Sequence, residues 1–392
     1  MRFKILGLCV LAVTFFSSCK QSPSNRSKDD GMTVHINMRD TSKLFALSQI
    51  TEDISLIYLQ SDSLSYFDFI QDFRQFDGKF YFVTAQRKVL LIFAEDGKFI
   101  QRIKMIGKGP QEYSVIDSYT VDQDKKLLVI YDASLRKFLT FSLNGEFISS
   151  RSTSLFGREI AWQGGYYYLY APDNKNQVNS EIYNPGLFVL DSCFNLVKQI
   201  LKLESEKYPC IRKNMVASGD KLLFMPFGSN NMYSINQLRI EKLYEINYGK
   251  HGFSDSAELE SMHNLEELKS KNKAWAAIDY CVGSDFAFIQ EAVGHSMMKV
   301  FFSPSRSMIN QIIRNDLIGP YILTPLYGEE RDVYFYSPHG FIPDQKGWSK
   351  VYSKFHKDPP PEDLLKKNDE ARAFIEKNTI EQILVKIKVR KE

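Results

Sequence analysis

Lys79-Phe80-Tyr81-Phe82-Val83-Thr84-Ala85-Gln86-Arg87-Lys88-Val89-Leu90-Leu91-Ile92-Phe93-Ala94-Glu95-Asp96-Gly97-Lys98-Phe99-Ile100-Gln101-Arg102-Ile103-Lys104 spells out three strands and the turns that join them. Lys79–Val83 and Val89–Phe93 are short runs of aromatic and branched residues, and Phe99–Ile103 mixes apolar and polar positions as a half-buried strand does. Glu95-Asp96-Gly97-Lys98 joins the second and third runs. An Asp-Gly pair at that point predicts a tight hairpin, because glycine adopts the positive φ that matches the twist of the flanking strands. Just upstream, Phe67–Phe73 can supply a fourth strand.

The same order of elements returns along the chain. Ile116–Val121, Leu127–Tyr131, Lys137–Phe141 and Phe147–Ser150 form a second unit, again with an Asx-Gly pair, Asn144-Gly145, in the last hairpin. A third uses Tyr166–Tyr170, Gly186–Leu190 and Leu196–Leu201, with a turn near Ser192–Asn195. Fainter copies follow at Lys221–Pro226, Met232–Ile235 and Ile240–Ile246, then at Phe286–Gln290, Lys299–Phe302 and Ile309–Ile313. Four antiparallel strands repeated every ~40 to 50 residues are the mark of propeller blades. Asp332–Tyr336 and Glu381–Val389 provide two strands of a sixth unit, whose outer strand is then Ile54–Gln60 from the other end of the chain. Such pairing closes a ring and leaves no long free edge. The expected fold is therefore an all-β, six-bladed β-propeller with two short helical insertions, closed by its N- and C-terminal strands. The insertions are Ser254–Trp275 and Asp358–Lys377, the latter with Leu364, Ala371, Phe374 and Ile375 on one face.

The N-terminus sets the compartment. Arg2 and Lys4 precede an apolar run, Ile5–Phe16, that has the length of a signal-peptide core and falls short of the roughly 20 residues of a spanning helix. Phe16-Ser17-Ser18-Cys19 resembles a bacterial lipobox, which implies acylation of Cys19. The expected organisation is a signal peptide over 1–18, a flexible polar tether over 19–33 and the propeller over 34–392. Lys20-Gln21-Ser22-Pro23 carries no acidic run, and an outer-membrane anchor on the periplasmic face is expected. The formal net charge is only +3, no basic cluster stands out, and nucleic acid is not an expected partner. Cys193, Cys210 and Cys281 have no metal-ligand spacing; three buried thiols are the default, with a Cys193–Cys210 disulfide as the alternative.

Ile106-Gly107-Lys108-Gly109-Pro110-Gln111-Glu112-Tyr113, followed by Asp117 and a strand to Asp132, resembles the Gly-x-Gly-Pro-x-Glu-Tyr segment between the first two blades of six-bladed propeller lipoproteins of Bacteroides-type bacteria. These are related in shape to NHL and TolB-like propellers. The resemblance implies fold and location, and brings no shared catalytic residues with it. As a phosphate loop the segment fails, because it lacks the Gly-Lys-Ser/Thr ending and opens no helix.

No motif for a nucleophile elbow or a paired-histidine metal site occurs, so neither a metal nor a cofactor is expected. Strand alternation instead places the links between blades, and the loops between second and third strands, on one face. Arg87, Tyr113, Arg136, Asn231, His295 and His339 gather there as candidate ligand-binding residues. Their mixture of cations, amides and aromatics suits a glycan, a peptide or a protein partner, bound without catalysis. The alternative is a propeller hydrolase or lyase working at the mouth of the central channel. The alternating Tyr166, Tyr168 and Tyr170 are expected in the core.

Overall fold

The structure, a computed structural model, describes residues 32–35, 44–60, 62–203, 213–218, 221–226, 229–253, 258, 265–303, 308–318, 323–336, 349–350, 352–377 and 382–391. Six antiparallel sheets form the blades of a propeller. Blade 1 runs from its inner to its outer edge through Ile70–Phe76, Lys79–Thr84, Leu90–Ala94 and Phe99–Ile103. Blade 2 repeats this with Ser118–Asp122, Leu127–Asp132, Lys137–Ser142 and Phe147–Ser152. Blades 3, 4 and 5 begin at the inner strands Glu159–Gln163, Met215–Ser218 and Ala274–Val282.

The middle strands read as continuous apolar runs because both of their faces are covered. In Lys79–Thr84, Phe80 and Phe82 pack with Tyr334, Tyr336 and Leu384 of the last blade, while Tyr81 and Val83 pack with Tyr119 and Ile130 of the second. Alternate residues of one strand thus serve opposite neighbours, and all four are fully buried. Burying a side chain of this size contributes about 1.5 to 3 kcal/mol. The outer strand Phe147–Ser152 has one face on the blade and leaves Ile148 at 52% exposure, which is why its pattern is polar. Equivalent apolar clusters join blades 2 to 3, 3 to 4, 4 to 5 and 5 to 6. Tyr168 and Tyr170 lie inside one of them, with Tyr166 at its margin.

The ring closes as the sequence predicts. Thr324–Glu329, Asp332–Tyr336 and Gln382–Val389 are followed outward by Thr51–Leu59, with Ile387 opposite Ile54 and Gln382 opposite Leu59. Arg390 Nε donates to Thr51 O at 2.7 Å, and Arg331 pairs with Glu52 across the same seam. Glu362–Lys377 is helical and lays Leu364, Ala371 and Phe374 on the cluster that contains Val385 and Ile387.

Three features depart from the expectations. Met32–His35 and Leu44–Ala46 add as parallel fifth strands outside Arg239–Asn247 and Met308–Arg314, so Met32 and Thr33 belong to a blade edge and not to a tether. The first insertion ends earlier than the pattern implied: the helix described there is Leu265–Ser270, and Ala274 and Trp275 already belong to the inner strand of blade 5. Cys193 is an exposed thiol in a hairpin turn and not a buried one, while Cys281 is buried and Cys210 lies outside the described residues.

Candidate functional site

Because inner strands start on the face that carries the blade-to-blade links, the residues at their first positions line the mouth of the central channel there. Carboxylates stand near these starts: Asp72 is the third residue of the inner strand of blade 1, Asp117 directly precedes that of blade 2 and Glu159 begins that of blade 3. Arg87 comes from the turn between the second and third strands of blade 1 and reaches in among them. Its guanidinium donates to Asp72 Oδ2 at 2.6 Å, Gln71 Oε1 at 3.1 Å and Ile116 O at 2.7 Å, and also to Asp117 O. Arg87 therefore pins the first blade to the link into the second.

Each charge at the mouth has a distinct environment. Burial works against the Asp72 carboxylate, but Arg87 and then Lys213 more than offset it, so the group is held below its ordinary value. Burial pushes the Asp117 carboxyl upward, and the nearby Asp132 charge adds to the rise. Glu159 is 7% exposed, and burial pushes its carboxyl up to about 7 despite hydrogen bonds accepted from Asn214 N at 2.6 Å and Met215 N at 2.9 Å. The mouth thus combines a carboxylate that stays ionised with one that titrates near neutrality.

The candidates named from sequence divide into three groups. Arg136 occupies in blade 2 the place Arg87 has in blade 1; their φ values are +50° and +53°, and each turn carbonyl accepts a link N–H, from Thr153 and Ile116 respectively. Arg136 is exposed where Arg87 is half-buried, so Arg136 keeps its side chain in the rim. Asn231 and His295 also sit at second-to-third strand loops on this face, Asn231 half-buried with Nδ2 3.4 Å from Tyr233 Oη, His295 exposed. Tyr113 is fully buried, and its hydroxyl donates toward the carbonyls of Lys88 and Ile103 at 2.9 Å each, which makes it a core pillar and removes it from the rim. His339 lies outside the described residues.

Tyr113 closes the Gly107–Tyr113 loop, whose ends bond through Gly107 N to Tyr113 O at 2.9 Å and Tyr113 N to Met105 O at 2.8 Å. A Cβ on Gly107 would lie 1.9 Å from Glu112 Oε2, so any larger residue there has to displace the Glu112 carboxylate. Glu112 Oε2 accepts from Gly109 N at 2.8 Å, and the loop is filled from within.

The sequence reading missed Asp72, Glu159 and Lys213. Their only signal was a charged residue at the start of an inner strand, and that register is invisible until the ring is closed. The long loop of blade 3 also forms a small hairpin, Asn176–Val178 with Glu181–Tyr183, that raises Ile182 to 70% exposure on the same face. Among the described residues no cluster of His, Cys, Asp and Glu is arranged to hold a metal ion, and no helix is long and apolar enough to cross a membrane.

Fold and site together define a six-bladed propeller with an ion-paired channel mouth bordered by loops. The chain belongs to the DUF4934 family, a domain of unknown function, whose model matches residues 33–370. Its fold is similar to that of a protein of Bacteroides fragilis NCTC 9343 described as exported, at 13% identity and a TM-score of 0.69, with 92% of this chain and 100% of that chain covered. Looser matches are a member of the DUF4221 family from Bacteroides vulgatus ATCC 8482 (10% identity, TM-score 0.48, 88% and 98% covered) and BamB from Moraxella catarrhalis (10%, 0.38, 74% and 76%). No curated protein matches the sequence.

Proposed function

We propose that this protein is an exported binding propeller, anchored by a lipid on Cys19, that captures a polar ligand or partner segment on its link face. The observation that carries this is the convergence at one channel mouth of charges from three consecutive blades, Asp72 with Arg87, Asp117 and Glu159, ringed by the exposed Arg136 and His295. Rigid strands hold these groups while loops of different length border them, the usual arrangement of a recognition surface. Export is supported by the signal-like N-terminus and by the exported relative of the same fold. A glycan or a peptide with both donors and acceptors fits the mixture of charges.

The experiment is an array of oligosaccharides and peptides probed with the detergent-solubilised full chain, followed by Arg136→Ala combined with Asn231→Ala. Binding should weaken at least tenfold in the double variant at unchanged thermal stability. Equal binding by variant and wild type removes this face as the recognition surface.

One observation favours a second reading, catalysis at the channel mouth: Glu159 titrates at about 7 beside an ionised Asp72, the kind of split pair that serves acid–base chemistry. Turnover of a glycan or lactone panel that is lost in Glu159→Gln would establish it, and absence of turnover across the panel would remove it.

A further inference from the structure

The N-terminal segment crosses three blades on its way to closing the ring. Met32–His35 lies outside blade 4, Leu44–Ala46 pairs in parallel with Ile312–Arg314 outside blade 5, and Thr51–Leu59 is the outer strand of blade 6. The first two are short additions to outer edges, of 4 and 3 residues, and strands of that kind open at low free energy. Thr51–Leu59 differs because ring closure depends on it. Its first residue pairs with Val389 at the end of the C-terminal strand, so a pull arriving at Thr51 would open that pairing one rung at a time.

Between the second and third of these strands stands a polar cluster far from the channel mouth. Leu47–Gln49 forms a short 3-10 turn, with Leu47 and the following Ile50 buried in the cluster that contains Leu317, Val385 and Ile387. From this turn Ser48 donates twice to Asp316, from N to Oδ1 at 2.9 Å and from Oγ to Oδ2 at 2.6 Å. Asp316 lies in the link between blades 5 and 6 and is fully buried. His356 Nε2 meets the same Oδ2 at 2.6 Å and Ser48 Oγ at 3.1 Å, and its ring stacks on Tyr352 with centroids 4.1 Å apart. Because one ring nitrogen faces both groups, its proton is directed to the carboxylate. The imidazole therefore holds the cluster together and does not take the Ser48 proton, as an activated nucleophile would require. Asn368, in the helix that follows His356, donates to Leu317 O at 3.2 Å and ties that helix to the same link.

From this geometry we infer that Ser48, Asp316 and His356 form a latch that stops unravelling of the N-terminal segment ahead of the closing strand. The inference rests on the lipid anchor proposed for Cys19: a propeller that holds a partner while tethered by its N-terminus takes the load along this segment. The two short edge strands give way first. Ser48 then resists, because withdrawing it takes two donors from a carboxylate that water does not reach. His356 and Asn368 add the inserted helix Glu362–Lys377 to the anchorage, so the force is shared by segments remote in sequence and the pairing of Thr51 with Val389 is spared.

The test is single-molecule pulling in optical tweezers, with one handle at residue 19 in place of the lipid and the other on the exposed Cys193 thiol, in a chain carrying Cys210→Ser. Extension should come in two stages. Residues 32–47 are released at low force, adding at most about 55 Å, and the chain then stops until a higher force opens the ring. Ser48→Ala and His356→Phe, the latter keeping a ring against Tyr352, should each shorten the lifetime of that stop at fixed force at least tenfold. Opening of the reference chain in a single step overturns the inference, and so does a stop whose lifetime is the same in both variants. The reference chain alone decides the first point, even where a variant does not fold. Since the handle replaces the lipid, loss of the stop counts against the latch and leaves acylation of Cys19 to be read by fatty-acid labelling.

Discussion

Truncating Ile387 to alanine tests whether the ring is closed by its two chain ends. Ile387 is fully buried in the third strand of the last blade, directly opposite Ile54 of the N-terminal strand, and both lie in the cluster that joins blades 5 and 6. Removing a buried isoleucine down to its β-carbon costs about 3 to 4 kcal/mol, the transfer of the lost carbons plus the cavity left behind. For a ring of roughly 360 residues the unfolding entropy is about 0.75 kcal/mol/K, so the melting temperature should fall by about 4 to 5 °C. Thermal denaturation followed by circular dichroism reads this directly. The control is Ile148→Ala in the outer strand of blade 2, where the side chain is 52% exposed and the expected change is within about 0.5 kcal/mol. Ile54→Ala alone and in combination completes a double-mutant cycle, and a coupling of about 0.5 kcal/mol or more is expected for neighbours that share one cavity. If Ile387→Ala is no more harmful than Ile148→Ala, or if the two closing-strand substitutions simply add, the terminal strands are not knitted into one sheet.

Other outcomes follow from the mouth and the turns. The Glu159 carboxyl has a folded value of about 7 against an ordinary 4.5, so the native state binds the extra proton. Stability should therefore decline as pH rises from 4.5 through 7, by a total of about 3 kcal/mol at 1.36 per unit of difference, and Glu159→Gln should flatten that segment of a melting-temperature profile. Arg87→Met should strand Asp72 without its main counter-charge and cost about 2 kcal/mol or more in denaturant unfolding, while the conservative Arg87→Lys recovers part of the loss. Gly97→Ala should be far more damaging than Gly78→Ala, although both have positive φ: a Cβ on Gly97 meets Tyr58 O at 2.1 Å, and one on Gly78 meets nothing within 4 Å. Cys19→Ser should move the protein from the membrane to the soluble fraction and abolish labelling by a fatty-acid analogue; retention in the membrane would count against the anchor.

Much of the architecture was legible because a propeller repeats its grammar. Phe80-Tyr81-Phe82-Val83 and Leu90-Leu91-Ile92-Phe93 are unmistakable strands, and the Asx-Gly turns at 96–97 and 144–145 mark the same hairpin in successive blades, with φ values of +88° and +89° at the glycines. Even the closing pair was readable, since Ile383, Val385, Ile387 and Val389 alternate in a segment that had no partner nearby in sequence. Local composition failed where pairing is remote. Nothing in Met32–His35 announces that it will lie parallel to Tyr244–Asn247, more than two hundred residues away, and the charged stretch before Ala274 concealed the start of an inner strand.

The site was less legible for a related reason. Tyr113 read as a loop aromatic because its segment is a link, yet its ring fills the space between two blades and its hydroxyl is spent on carbonyls. Arg74 falls just past the strand expected at Phe67–Phe73, and the structure places it within the inner strand Ile70–Phe76. What the amino-acid order alone determined was each strand, each tight turn and the number of blades, because those depend on side-chain periodicity and on glycine's backbone freedom within a few residues. Which charges meet was decided by tertiary structure. Asp72 and Arg87 belong to blade 1 while Asp117, Glu159 and Lys213 come from the beginnings of the next three, and packing successive blades is what brings them together and takes them out of water, where their pairing acquires energetic weight.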